Sequence, residues 1–159
     1  MNKRLNKNGF TMTELVVTVA LMGTLLSLAA PKFTNVSEET QGERNIANMH
    51  TIREAFFHYF YRSMQREGNI AHFPPSPENE NNLMDDEWAE TVIDSSISLT
   101  SPNNLFSRGV VPKNANSYPF KYTTWKDTVS ITGEIRYYIK IEDIDLDSPS
   151  YGKSFTYSI

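Results

Sequence analysis

The sequence predicts an α+β fold, in which a long N-terminal helix is laid against a small C-terminal antiparallel sheet. Three observations carry that expectation. Residues 10–30 are an apolar run with a single charge. From Ile46 to Met64 apolar residues recur every three or four positions, the period of an amphipathic helix. From Tyr118 onward the pattern shifts to short runs rich in aromatic and β-branched residues, the signature of strands.

The 159 residues suit one domain of ordinary size plus an appendage, and 39% hydrophobic with 21% charged residues suits a folded unit. The net charge of −4 hides an asymmetry. Residues 1–9 hold Lys3, Arg4 and Lys7 and no acid, so the remaining chain carries −7. That balance argues against nucleic acid as the partner of the folded part. No cysteine is present, which excludes a disulfide framework and every thiolate metal site. Compartment is not decided by it, because exported proteins without cysteine exist.

Residues 10–30 read FTMTELVVTVALMGTLLSLAA, with Glu14 as the one charge and no proline before Pro31. As a helix this segment spans about 31 Å, close to the hydrocarbon thickness of a bilayer. A lone spanning segment must be helical, since nothing else satisfies its backbone in lipid. Lys3, Arg4 and Lys7 precede the segment, whereas Lys32 after it is followed by Glu38, Glu39 and Glu43. The positive-inside rule therefore puts the N-terminus in the cytoplasm and residues 32–159 outside.

Two plainer readings stand beside this one: a secretory signal peptide, with Ser27-Leu28-Ala29 as its small-residue site, and an inert anchor. Neither accounts for Glu14. A carboxylate within an apolar helix costs about 2.5–3.5 kcal/mol on insertion scales, so an intramembrane acid calls for a partner.

Gly9-Phe10-Thr11-Met12-Thr13-Glu14 resembles the cleavage and methylation signature of type IV prepilins and type II secretion pseudopilins. That signature is a short basic leader ending in glycine, an aromatic residue, glutamate four places on, and then an apolar run. Gly23 and Pro31 also sit where many pilins carry helix-weakening residues. The resemblance is strong over residues 1–60 and continues beyond only in layout.

The resemblance implies that a prepilin peptidase cuts after Gly9 and methylates the new amine of Phe10. An assembly ATPase and a membrane platform protein are then expected to lift subunits from the inner membrane into a periplasmic or extracellular filament of copies of this chain or of homologous pilins. Glu14 is expected to pair with the Phe10 amine of a neighbouring subunit and so set register. The domains implied are a leader over 1–9, a membrane and filament-core helix over 10–30, and an extracytoplasmic globular part over 31–159. No cofactor is expected to be required, calcium being the one candidate ligand. Many true pilins staple their C-terminal region with a disulfide, so the absence of cysteine favours a pseudopilin over a pilin proper.

Pro31 lacks an amide hydrogen and crowds the carbonyl of Ser27, which predicts a kink there. Gly23 weakens the same helix by up to about 1 kcal/mol relative to alanine. Beyond them, Ile46, Met49, Ile52, Phe56, Phe57, Phe60 and Met64 form the apolar stripe, with the helix ending near Glu67 before Gly68-Asn69. Residues 68–117 read as a long connection, marked by Phe73-Pro74-Pro75-Ser76-Pro77. Within it Asp85–Asp94 suits a short helix with Trp88 and Val92 inward. Strands are expected at 120–124, 129–131, 135–141 and 154–157, with Gly133 and Pro149 near turns. A three- or four-stranded sheet on the amphipathic half of the helix gives each layer its cover.

Asp143, Asp145 and Asp147 alternate before Pro149, a pattern of oxygen donors suited to calcium. The run lacks the glycine and later glutamate of an EF-hand loop. Major pseudopilins hold calcium in a C-terminal loop, which makes these three acids the candidate site. A solvated acidic turn that discourages strand pairing is the competing reading. His50, His58 and His72 show no metal-ligand spacing. The run Phe56–Tyr61 reads as core packing on one helix face. No phosphate-binding glycine loop and no nucleophile–base arrangement is present, so an enzyme is not expected.

Overall fold

The structure is a computed structural model that describes residues 10–66, 71–91, 105–106, 109–130 and 133–159. Helix α1 runs from Met12 to Arg66, α2 from Asp86 to Thr91, and strands β1 to β3 cover Lys121–Thr128, Ile135–Glu142 and Ser154–Ser158. The chain divides into two compact units, Met1–Glu39 and Thr40–Ile159.

In the first unit three hydroxyls of the apolar run are satisfied within the helix itself. The hydroxyls of Thr18, Thr24 and Ser27 donate to the carbonyls of Leu15, Leu21 and Thr24, each at 2.8 Å. This back-bonding lets a hydroxyl sit on an apolar helix without an unpaired donor. The helix passes through Pro31 without a break in its helical residues, and Thr34 Oγ1 donates to the Ala30 carbonyl at 3.2 Å beside it.

The second unit is an α+β layer pair, as expected. Its sheet is antiparallel in the order β1-β2-β3. Tyr122 pairs with Ile141, Thr124 with Ile139, and Ile141 with Phe155. Strand alternation sends Tyr122, Ile139 and Ile141 to one face, where all three are fully buried with Met49, Ile52 and Phe56 of α1. Aromatic contacts lock the layers: the Phe56 and Tyr122 rings lie 4.6 Å apart, and Phe60 and Tyr137 5.1 Å apart. Phe56, Tyr59 and Phe60 are buried while Tyr61 is exposed, so the aromatic run is divided by helix face.

Three elements differ from expectation. Val129 and Ser130 are not strand. Val129 closes the β1–β2 turn through bonds of 2.8 Å with Glu134 and Gly133, and Gly133 takes a φ of 70° that favours glycine. Ile131 lies outside the described residues. Helix α2 is shorter than Asp85–Asp94: Asp85 caps it by accepting the Trp88 amide at 2.8 Å, and Val92 lies outside the described residues. The connection also contributes to the core, because Phe73, Met84, Trp88, Phe106 and Val111 are buried with the helix and sheet. Its proline run is anchored from within, with Tyr122 Oη donating to the Pro74 carbonyl at 2.8 Å and Trp88 Nε1 to that of Pro75 at 3.0 Å. Burial pushes the Tyr122 phenol far up, so it serves as a permanent donor.

Candidate functional sites at the helix start and in the C-terminal loop

The start of α1 forms a reciprocal cap. Thr11 Oγ1 accepts the Glu14 amide at 3.2 Å, and Glu14 Oε2 accepts both the Thr11 amide at 2.9 Å and the Thr11 hydroxyl at 2.8 Å. This is the capping box S/T-x-x-E, which satisfies two of the donors a helix leaves free at its first turn. Sequence reasoning singles out Glu14 and overlooks Thr11, although the spacing Thr11-x-x-Glu14 is itself the signal. Among the described residues Glu14 Oε1 has no partner. Phe10, directly before the cap, is 78% exposed.

Gly9 and the basic residues Lys3, Arg4 and Lys7 lie outside the described residues. Gly23 sits within α1, where a side-chain methyl in place of its hydrogen would meet no atom within 4 Å, so nothing crowds the glycine. The apolar side chains that follow Glu14 are uncovered. Leu15, Val16, Leu21, Leu25 and Leu28 are all more than half exposed, and the helix is long and apolar enough to cross a membrane. Phe33 and Val36 continue this exposed apolar surface past Pro31.

The three C-terminal acids fall into different surroundings. Asp143 is fully buried, Asp145 half-buried and Asp147 exposed. Asp143 Oδ2 accepts the hydroxyls of Ser148 at 2.5 Å and Ser150 at 2.6 Å, and Oδ1 accepts the Asp145 amide at 3.2 Å. Asp145 Oδ2 accepts the side-chain amides of Asn114 and Asn116, both at 2.8 Å, and these bonds hold its carboxyl below the usual aspartate value. From α1, Asn45 Nδ2 donates to Ser150 Oγ at 2.8 Å and Ser148 Oγ at 3.0 Å, while its Oδ1 accepts the Ala115 amide at 2.7 Å. Asn45 falls on the helix face of Met49, Ile52 and Phe56, and a polar residue in that stripe is the one sequence sign of the network.

His50 and His72 pack within the folded unit. His50 Nδ1 lies 3.1 Å from the Tyr157 hydroxyl, and His72 Nδ1 lies 3.1 Å from the Phe73 carbonyl. His58 is exposed on α1. Among the described residues no group of three or more His, Cys, Asp or Glu side chains is placed to hold a metal ion.

Residues 4–30 match the family model described as the prokaryotic N-terminal methylation motif. No curated protein and no solved structure matches the chain. The matched segment contains Gly9, Phe10, Thr11 and Glu14 together with the apolar first half of α1.

Proposed function

We propose that this chain, which carries the N-terminal methylation motif of type IV pilins and pseudopilins, is a structural subunit of a pilus-like filament, specifically a type II secretion pseudopilin. The observation that carries the reading is the motif match itself, which spans the junction Gly9-Phe10 and the acid four residues on. Cleavage after Gly9 by a prepilin peptidase and methylation of the Phe10 amine follow from that assignment. The absence of cysteine favours the secretion pseudopilin over a pilus subunit proper.

The chemistry of the helix start supports the scheme. Before assembly the capping box gives the Glu14 carboxylate two donors of its own chain on Oε2, which reduces what an isolated carboxylate costs in lipid. After cleavage the Phe10 amine is a new cation one residue before the cap. In a filament packed through the apolar helices, the amine of one subunit meets the free Oε1 of another. Water is scarce there, so leaving either charge alone is strongly unfavourable, and the pair fixes the axial register of neighbouring helices. Lipid, and then the helices of other subunits, cover the apolar surface that α1 leaves exposed. The basic leader keeps the N-terminus cytoplasmic, and an ATPase with its platform protein extracts the subunit.

Mass spectrometry of the chain isolated from its native membrane tests this reading. A chain beginning at N-methylated Phe10 is the expected result. A chain beginning at Met1 overturns the processing, and one beginning near Ala30 makes residues 1–29 an ordinary signal peptide.

A further inference from the structure

We infer that the loop joining β2 to β3, residues 143–153, is closed by the side-chain amide of Asn114 and not by a bound calcium ion. Asn114 is buried, and its orientation is fixed from both ends. Its Oδ1 accepts the backbone amides of Asn116 at 3.0 Å and Tyr118 at 2.8 Å. Both of those partners are donors, so the oxygen and nitrogen of the amide cannot exchange places. Nδ2 is therefore a donor aimed at two carboxylates, 2.8 Å from Asp145 Oδ2 and 3.4 Å from Asp143 Oδ1.

A calcium ion needs lone pairs from several oxygens that converge on one point. Here the lone pairs of Asp143 and Asp145 are engaged by donors, and Asp147 stands apart from them, exposed to solvent. Ser148 and Ser150 donate to Asp143, Asn116 donates to Asp145, and the amide of Asp147 donates to Asp145 Oδ1 at 3.1 Å. The serine oxygens in turn receive Asn45 from α1, so the hydroxyls cannot turn their lone pairs to an ion without abandoning the helix. No buried side-chain nitrogen or oxygen among the described residues lacks a partner. The donor set thus does not fit calcium. It closes the loop onto α1 and onto residues 113–118 with neutral amides and hydroxyls, and hydrogen bonds from these groups satisfy the buried carboxyl oxygens of Asp143.

The test is amide hydrogen exchange of the full-length chain in detergent, read over residues 143–153, with excess calcium and with a chelator. Equal protection in the two conditions is expected for the wild type. Protection that appears only with calcium overturns the inference. Asn114→Asp keeps the oxygen that accepts Asn116 and Tyr118, removes the donor and adds a third carboxylate. In chelator its loop should exchange about tenfold faster than wild type, since a donor shared by two carboxylates is lost. Calcium should restore part of that protection, because a carboxylate now stands where the amide stood. Wild-type protection of this variant in chelator overturns the role given to Asn114. If the variant does not fold, the wild-type comparison alone still decides whether a cation closes the loop.

Discussion

Thr11 has two duties at one atom, since its hydroxyl accepts the Glu14 amide and donates to the Glu14 carboxylate. Thr11→Val keeps the shape and β-branching and removes both bonds. The loss of an N-cap hydroxyl costs about 0.5–2 kcal/mol, and the carboxylate is left with one donor in place of two. The expected outcome is a lower yield of membrane-inserted subunit, restored by Thr11→Ser. Equal membrane yields for threonine and valine, measured by quantitative blotting of the membrane fraction, would reject the cis-partner role. Asp145 offers a residue-scale test of another kind. Its carboxyl is depressed chiefly by Asn114, then by Asn116. A depressed folded value means that stability is fully present above the unfolded value of 3.8 and is lost as pH falls through the lower, folded value. Asn116→Ala removes one donor and brings the two values closer, so the variant should lose stability at a higher pH than wild type. Acid titrations of both chains, followed by tryptophan fluorescence, check this, and coincident curves would show that Asn116 contributes nothing.

At the scale of elements the second half of α1 holds the folded unit together through one face. Phe56 is fully buried and touches Tyr122, Trp88 and Phe106, so it joins the helix to the sheet and to the connection at once. Phe56→Ala should cost about 3–5 kcal/mol, as expected for a large aromatic deleted from a packed core. Tyr61, five residues on and half exposed, should cost no more than about 0.5 kcal/mol on the same change. Urea unfolding of the two variants gives the comparison, and similar losses would mean that the faces are not divided in this way. The division is legible in the sequence because a 3.6-residue period records burial directly: Met49, Ile52, Phe56 and Phe60 stand out for that reason. Met64 follows the same period but is exposed near the end of the helix. The connection is not legible, because Phe73, Met84, Phe106 and Val111 reach the core from irregular backbone with no period to betray them. Val129 reads as strand from its branching alone; a β-branched residue that closes a hairpin looks the same in one dimension as one that extends it. Asn45, Asn114, Ser148 and Ser150 escape notice for a third reason. Their network joins positions about 30 to 105 residues apart, and no local pattern encodes a partner at that distance.

At the scale of the whole molecule, the chain combines a closed unit and an open one. Thr40–Ile159 satisfies its buried polar groups internally, whereas the helix of the first unit exposes its apolar side chains and a carboxylate oxygen that nothing among the described residues engages. On the filament reading, that carboxylate is spent on assembly rather than on folding, and the two stages can be separated by mutation. Glu14→Ala removes the charge that penalises insertion, so the subunit should enter the membrane at least as well as wild type. The peptidase acts on single subunits, so cleavage after Gly9 should persist. Assembly should fall sharply, since the variant leaves the Phe10 amine of its neighbour without a counter-charge as the helices pack. Glu14→Gln retains a hydrogen-bonding side chain and the acceptor for Thr11 but not the charge. If the cap were the whole role of Glu14, glutamine would assemble almost normally; if charge pairing sets register, it should be nearly as defective as alanine. The measurement is a blot of sheared filaments beside a blot of whole membranes for wild type and both variants. Filaments at wild-type level from a cleaved Glu14→Ala subunit would end the register role, and normal assembly of Glu14→Gln alone would move that role from the charge to the cap.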